Sequence, residues 1–132
     1  MYILDSNTCI YIMNHQPRAV RAKFAAQRLD EIAISSISLF ELSYRVRKSQ
    51  RVEQNLERLE QFTSMIQVLA FDAKAAEKAA FVRHYLRERG ETIGDMDTLI
   101  AGHALSVDAW LISHNLKEFQ RVPDLKLADW LS

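Results

Sequence analysis

The amino-acid sequence predicts an α/β fold, a parallel β-sheet of four or five strands flanked by helices on both faces. Three observations lead there. Apolar runs of strand length recur at residues 2–4, 32–34, 67–70 and 109–112. Segments of helical character separate them, and strands that alternate with helices build βαβ units around a parallel sheet. Only three glycines and two prolines interrupt the 132 residues, with no repeat, low-complexity tract or linker, so residues 1–132 read as a single domain. A chain of this length buries roughly two thirds of the surface its unfolded form exposes, so it needs no staple to fold.

Taken in order, Tyr2, Ile3 and Leu4 lead straight into Asp5, so the first strand ends on a carboxylate. Any of Asp5, Ser6 and Asn7 can cap the next helix by accepting from an orphan backbone N–H. Pro17 suits the first turn of a helix running to about Arg28. After the second strand, Ser38 and Glu41 match the S-x-x-E pattern of a capping box, although Leu39, Phe40 and Leu42 give Glu41 apolar company. Val52, Leu56, Leu59, Phe62 and Ile66 then recur at helical spacing, the mark of one buried stripe. An alanine-rich helix from Ala73 to Arg89 stops at Gly90, a residue at ease in the left-handed conformation. Asp97 opens the next helix with Asp95 two residues before it; one of the pair suffices as a cap, leaving the other for function. The last apolar run delivers Ser113, His114 and Asn115, and Asn115 with Glu118 can cap a short helix.

Seventeen basic residues balance seventeen acidic ones, which excludes a general attraction to polyanions and makes any nucleic-acid contact local. The densest basic stretch is Arg45, Arg47, Lys48 and Arg51, with Arg18 to Arg28 before it and Arg83, Arg87 and Arg89 after. These read either as solvated helix faces or as a local RNA contact. The single cysteine, Cys9, cannot form an internal disulfide, no signal peptide precedes the first strand, and no apolar run approaches the ~20 residues of a membrane span. The expectation is a soluble protein of the cytoplasm with no membrane partner.

Each polar group has an ordinary explanation as a cap, yet all lie where a βαβ topology turns. In parallel sheets, ligands and chemistry gather beyond the carboxyl ends of the strands. Two carboxylates about 4 Å apart repel by roughly 4 kcal/mol at an effective dielectric of about 20, so a cluster of three is unfavourable without a cation. Hard oxygen ligands without thiolates or paired histidines suit Mg2+ or Mn2+, ions that activate water and hold a phosphoryl group in line.

In sequence order, "LDSN", "SSISLFEL", "GDMDTLIAGHA" and "LISHNLKEF" resemble the motif set of the PIN-domain ribonucleases. More narrowly they are similar to the VapC toxins of toxin-antitoxin pairs and their FitB-like relatives, over essentially the whole chain to the closing "DLKLADW". The resemblance implies a PIN-like fold, Mg2+- or Mn2+-dependent endoribonuclease activity and inhibition by a cognate VapB-type antitoxin. It places the three central acids at Asp5, Glu41 and Asp97, the last because the family's aspartate stands just before the x-x-I-A turn, here Thr98 to Ala101. These three would hold the metal, directly or through its water shell. Asn115 and Ser6 would orient the attacking water, which displaces the 3′ oxygen of a phosphodiester and leaves a 5′ phosphate.

Asp95 and Ser113 fall in supporting positions, and His103 and His114 stay outside the catalytic set. The usual LDTN reads LDSN, which keeps the hydroxyl, and the fourth acidic position of many PIN domains matches the uncharged Asn115. RNA selection falls to Arg45, Arg47, Lys48 and Arg51 and to the earlier basic helix, with the anticodon region of a transfer RNA as the implied target. The resemblance also implies a homodimer, with operator DNA met only through the antitoxin complex.

The rival from another class is a catalytically inactive PIN-like module that binds a partner. A dehalogenase-like phosphatase requires a second aspartate where Asn7 stands, and a receiver domain requires a late-strand lysine followed by proline, absent here.

Overall fold

The computed structural model describes residues 1–131. Its elements run β1 (Tyr2–Leu4), α1 (Ser6–Met13), α2 (Arg18–Ala25), a 3-10 turn (Leu29–Glu31), β2 (Ile32–Ser35), α3 (Ser36–Arg47) and α4 (Val52–Met65). Then come β3 (Gln67–Leu69), α5 (Ala73–Glu88), α6 (Asp95–Ser106), β4 (Trp110–Ile112), α7 (Leu116–Phe119) and β5 (Lys126–Ala128). All neighbouring strands pair in parallel, in the order β3-β2-β1-β4-β5.

Strand residues alternate between two cores, as the period of two requires. Ile3, Ala33 and Leu111 face the side covered by α5, α6 and α7, where Val82, Ile100 and Phe119 are buried. Leu4, Ile34 and Ile112 face the side covered by α1 to α4, where Ile12, Phe24, Leu59 and Phe62 are buried. Each fully buried Leu, Ile or Phe contributes about 1.5–3 kcal/mol, so the sheet is clamped from both faces. This is the predicted layering, with five strands. Among the described residues no helix is long and apolar enough to cross a membrane.

Several boundaries differ from the sequence reading. The helix after Pro17 ends at Ala25, and the 3-10 turn takes the chain to β2. β3 stops at Leu69 and β4 starts at Trp110, each one residue shorter than its apolar run. The fifth strand had no apolar run to betray it: Lys126, Leu127 and Ala128 are all half-buried. Gly90, at φ 65°, terminates α5 in the left-handed conformation.

Two features of this fold position the acids. β1 lies between β2 and β4, so the strand order reverses there, the place where an open parallel sheet has a crevice at its carboxyl ends. On the α5 side, a Cβ at Gly102 would come within 2.4 Å of the Ala79 backbone, so α6 crosses α5 at a distance only glycine permits. That contact fixes α6 five residues beyond Asp97.

Candidate active site

Asp5 follows β1 directly and is 6% exposed. Its backbone N–H donates to the Ile112 carbonyl at 3.1 Å, which ties it to the end of β4. Its Oδ1 accepts from the Thr8 N–H at 2.9 Å and so caps α1. The cap uses one oxygen, and the residue also lines a cavity of about 140 Å3 with Ser6, Asn7, Glu41, Leu42, Arg45 and Asp97. Capping and a place in the cavity wall coexist in Asp5.

Glu41 reaches this cavity from α3. The Ser6 hydroxyl donates to its Oε1 at 2.6 Å. The capping box expected between Ser38 and Glu41 is absent. β2 runs into α3 without a loop, so Ser35, the last strand residue, is the cap and accepts from the Ile37 N–H at 3.0 Å. Ser38 is then already inside the first turn, buried, with no hydrogen-bond partner for its hydroxyl among the described residues.

Asp97 lies in the first turn of α6, which opens at Asp95 and not at Asp97. Its carboxyl is pushed up to about 6, first by burial and then by the negative charges of Asp5, Glu118 and Glu41, with the Asn115 hydrogen bond acting in the opposite direction. Asp95 does not cap this helix with its side chain. It forms an exposed 2.7 Å ion pair with Arg83 and lines a different, larger cavity. Two positions along a helix differ by about 200°, which sends Asp95 away from the acids that Asp97 joins.

Asn115 does not cap α7 through its side chain either. Its amide nitrogen lies 3.3 Å from Asp97 Oδ2 and 3.2 Å from Glu118 Oε2, donating to both. The buried Ser113 orients it by accepting the Asn115 N–H at 2.9 Å. Glu118 is the acid that sequence reasoning missed as a member of the cluster. Its spacing of three from Asn115 was visible, but was read only as a cap.

Of the basic residues, Arg45 lines the acidic cavity, while Arg47, Lys48 and Arg51 lie exposed at the α3–α4 junction. Lys48 stacks its ammonium 5.0 Å from the Tyr44 ring. A second, more apolar groove of about 260 Å3 runs between α1, α3 and α4; Leu42 and Arg45 line both it and the acidic cavity. His103 is buried in α6 and His114 pairs with Asp129 at 2.9 Å, both outside the acidic cavity. Burial and the Asp5 charge push the Cys9 thiol well up, so it offers no thiolate.

The donor set fits a hard divalent cation. Burial first, and then the charges of Asp5, Glu118 and Glu41, make Asp97 hold its proton more tightly than a surface carboxylate does, and a cation offsets the repulsion among these acids. Among the described residues no group of three His, Cys, Asp or Glu side chains is placed to hold an ion unaided.

A family model described as PIN domain matches residues 2–125. A tRNA(fMet)-specific endonuclease VapC from Shigella flexneri is 40% identical over 129 residues, covering 98% of this chain and 97% of that protein. The fold is similar to VapBC2 from Rickettsia felis bound to a DNA fragment from its promoter, with TM-score 0.91, 39% identity and 98% of each chain covered. It is also similar to FitAcB from Neisseria gonorrhoeae, with TM-score 0.91, 25% identity and 99% of each chain covered.

Proposed function

The chain belongs to the PIN-domain family and, within it, to the VapC ribonucleases, toxins of toxin-antitoxin pairs; from that premise we propose that its acidic pocket is a Mg2+- or Mn2+-dependent endoribonuclease site. The observation that carries the reading is the meeting of Asp5, Glu41 and Asp97 at one cavity, with Asp97 pushed up to about 6 by burial and by its acidic neighbours. When bound, the ion supplies positive charge that acidifies water and stabilises phosphoryl oxygens.

Asp5, Glu41 and Asp97 would hold the ion, partly through its water shell. Ser6 fixes the Glu41 carboxylate through the 2.6 Å bond, so that oxygen is already aimed before any ligand arrives. Asn115, steered by Ser113, orients the attacking water through its amide, and the scissile phosphodiester yields a 5′ phosphate. Arg45, beside the acids, meets the RNA backbone first. Arg47, Lys48 and Arg51 continue the contact along the α3–α4 junction.

The substrate we propose is a transfer RNA, supported by the Shigella relative's being named a tRNA(fMet)-specific endonuclease, and the cut we propose lies in the anticodon region. A cognate antitoxin restrains the enzyme, and operator DNA is met through that complex, in keeping with the promoter-bound Rickettsia assembly. The apolar groove that shares Leu42 and Arg45 with the acidic cavity suits the antitoxin's terminal segment, which thereby reaches the acids. We place this activity in the cytoplasm, carried out by a homodimer.

The test is cleavage of a total transfer-RNA pool by wild type and Asp5→Asn, each with Mg2+, Mn2+ or EDTA, with the cut ends mapped. Discrete cuts that need both the ion and Asp5 support the reading. Silence of both proteins, with no stabilisation by either ion, moves the chain to the partner-binding class.

A further inference from the structure

One polar contact in the core lies outside the mechanism. His103 is 2% exposed, in a stretch of α6 where Ile100, Ala101, Gly102 and Ala104 are also buried. An imidazole there is unfavourable unless bonded, and an apolar side chain would fill the space without that demand. Its bond crosses 68 residues of chain: Nδ1 lies 2.7 Å from the Ser35 hydroxyl. The same oxygen accepts the Ile37 N–H that starts α3. The Phe71 ring stands edge-on to the imidazole at 5.5 Å, while the Phe71 N–H donates to Ser36.

We propose that the Ser35–His103 bond is a positioning device for the acidic pocket, with His103 a positioning residue that sets Asp97 relative to Glu41. It rests on the ribonuclease reading of that pocket. The bond joins the two helices that carry these acids, and each acid is six residues from it, about 9 Å along its helix at 1.5 Å per residue. Apolar packing resists separation but has little direction; a short hydrogen bond fixes rotation of α6 against the start of α3 as well. Desolvation lowers the His103 pKa and favours the neutral ring, whose Nδ1 bonds the Ser35 hydroxyl as acceptor or donor according to the tautomer. Gly102, next in sequence, holds α6 against α5, so the helix is fixed on two sides.

Asparagine and leucine have nearly the same shape, and only asparagine can replace Nδ1 as a partner for Ser35. The experiment compares wild type, His103→Asn and His103→Leu for kcat and KM on a cleaved RNA, and for the rise in Tm that Mn2+ produces, at a temperature where all three are folded. Leucine is expected to lower kcat roughly 10- to 100-fold, with KM little changed and the Mn2+ response reduced; asparagine restores most of both. Equal values for the two variants overturn the positioning role while leaving the ribonuclease reading intact. A wild type that neither cleaves RNA nor responds to Mn2+ overturns both. If neither His103 variant folds, Ser35→Ala must lose kcat and the Mn2+ response where Ser35→Thr keeps them, and equal loss again overturns the role.

Discussion

The Ser6 hydroxyl donates to Glu41 Oε1 at 2.6 Å, joining the first turn of α1 to α3 across 35 residues of chain. A hydrogen bond to a charged acceptor is worth about 1.5–3 kcal/mol when buried and less here, where the pair is partly exposed. Ser6→Ala is expected to cost about 1 kcal/mol in urea denaturation and to raise the Mn2+ concentration needed for cleavage roughly tenfold. Ser6→Thr, which restores the family's commoner residue, should match wild type in both measurements.

Asp97 supplies a pH dependence whose sign is opposite to that of a salt-bridged acid. Its carboxyl sits at about 6 in the folded chain against an ordinary 3.8, so the folded state binds the proton more tightly than the unfolded one. Metal-free stability therefore falls as pH rises from about 4 to about 6 and stays at the lower level above that, by about 1–2 kcal/mol once the residue's partial exposure is discounted for solvent screening. Asp97→Asn should be more stable than wild type by that amount at pH 7 in EDTA and nearly equal at pH 4. Mn2+ should stabilise the wild type more than the variant. Denaturation curves at the two pH values check both statements, and equal stability at pH 7 in EDTA would remove the crowded-acid account.

Gly102→Ala should destabilise by about 2–3 kcal/mol, the cost of overpacking where no side chain can give way. The nearest obstacles are the Ala79 Cα and N at 2.4 Å, so Ala79→Gly in the same chain should restore little. Thermal melts of the single and double variants measure this directly.

RNA affinity should depend on salt through the α3–α4 junction. Replacing Arg45, Arg47, Lys48 and Arg51 with glutamine should flatten the slope of log affinity against log salt by about 3, at roughly 0.7 per lost single-strand phosphate contact. Binding is measured in the Asp5→Asn background to prevent cleavage. Arg45→Gln alone should also lower kcat, since Arg45 lines the acidic cavity, whereas the other three act on KM. An unchanged slope in the fourfold variant would place the RNA elsewhere.

Asp5 was legible because it follows an apolar run without a break, and strand ends are where parallel sheets place polar groups. Glu41 was legible as a polar residue of consequence but not in its contact. S-x-x-E matches a capping box only if the helix begins at the serine, and the strand that runs directly into α3 moves that start to Ser35. As helix-start acids Asp95 and Asp97 could not be told apart, and only the family resemblance chose Asp97; the turn of the helix separates them, one to Arg83 and one to the acids. The closeness of Glu118 to Asp97 and the Ser35–His103 pair stayed hidden because both cross between elements, which no local spacing records. β5 escaped because an edge strand of three half-buried residues has no apolar signature.

The strand order has a further consequence, for the chain while it is being made. Asp5 is held through the carbonyl of Ile112, and the strand that supplies it is the fourth to be synthesised although it pairs with the first. Glu41, Asp97 and Asn115 arrive from three separate crossovers. A nascent fragment ending before β4 already carries Asp5, Glu41 and Asp97 but lacks both the Ile112 carbonyl that holds Asp5 and the Asn115 amide that bonds Asp97, so the acids are present before the groups that fix them. The interleaved order delays the hazard of an RNA-cutting chain until the fourth strand has taken its place beside the first.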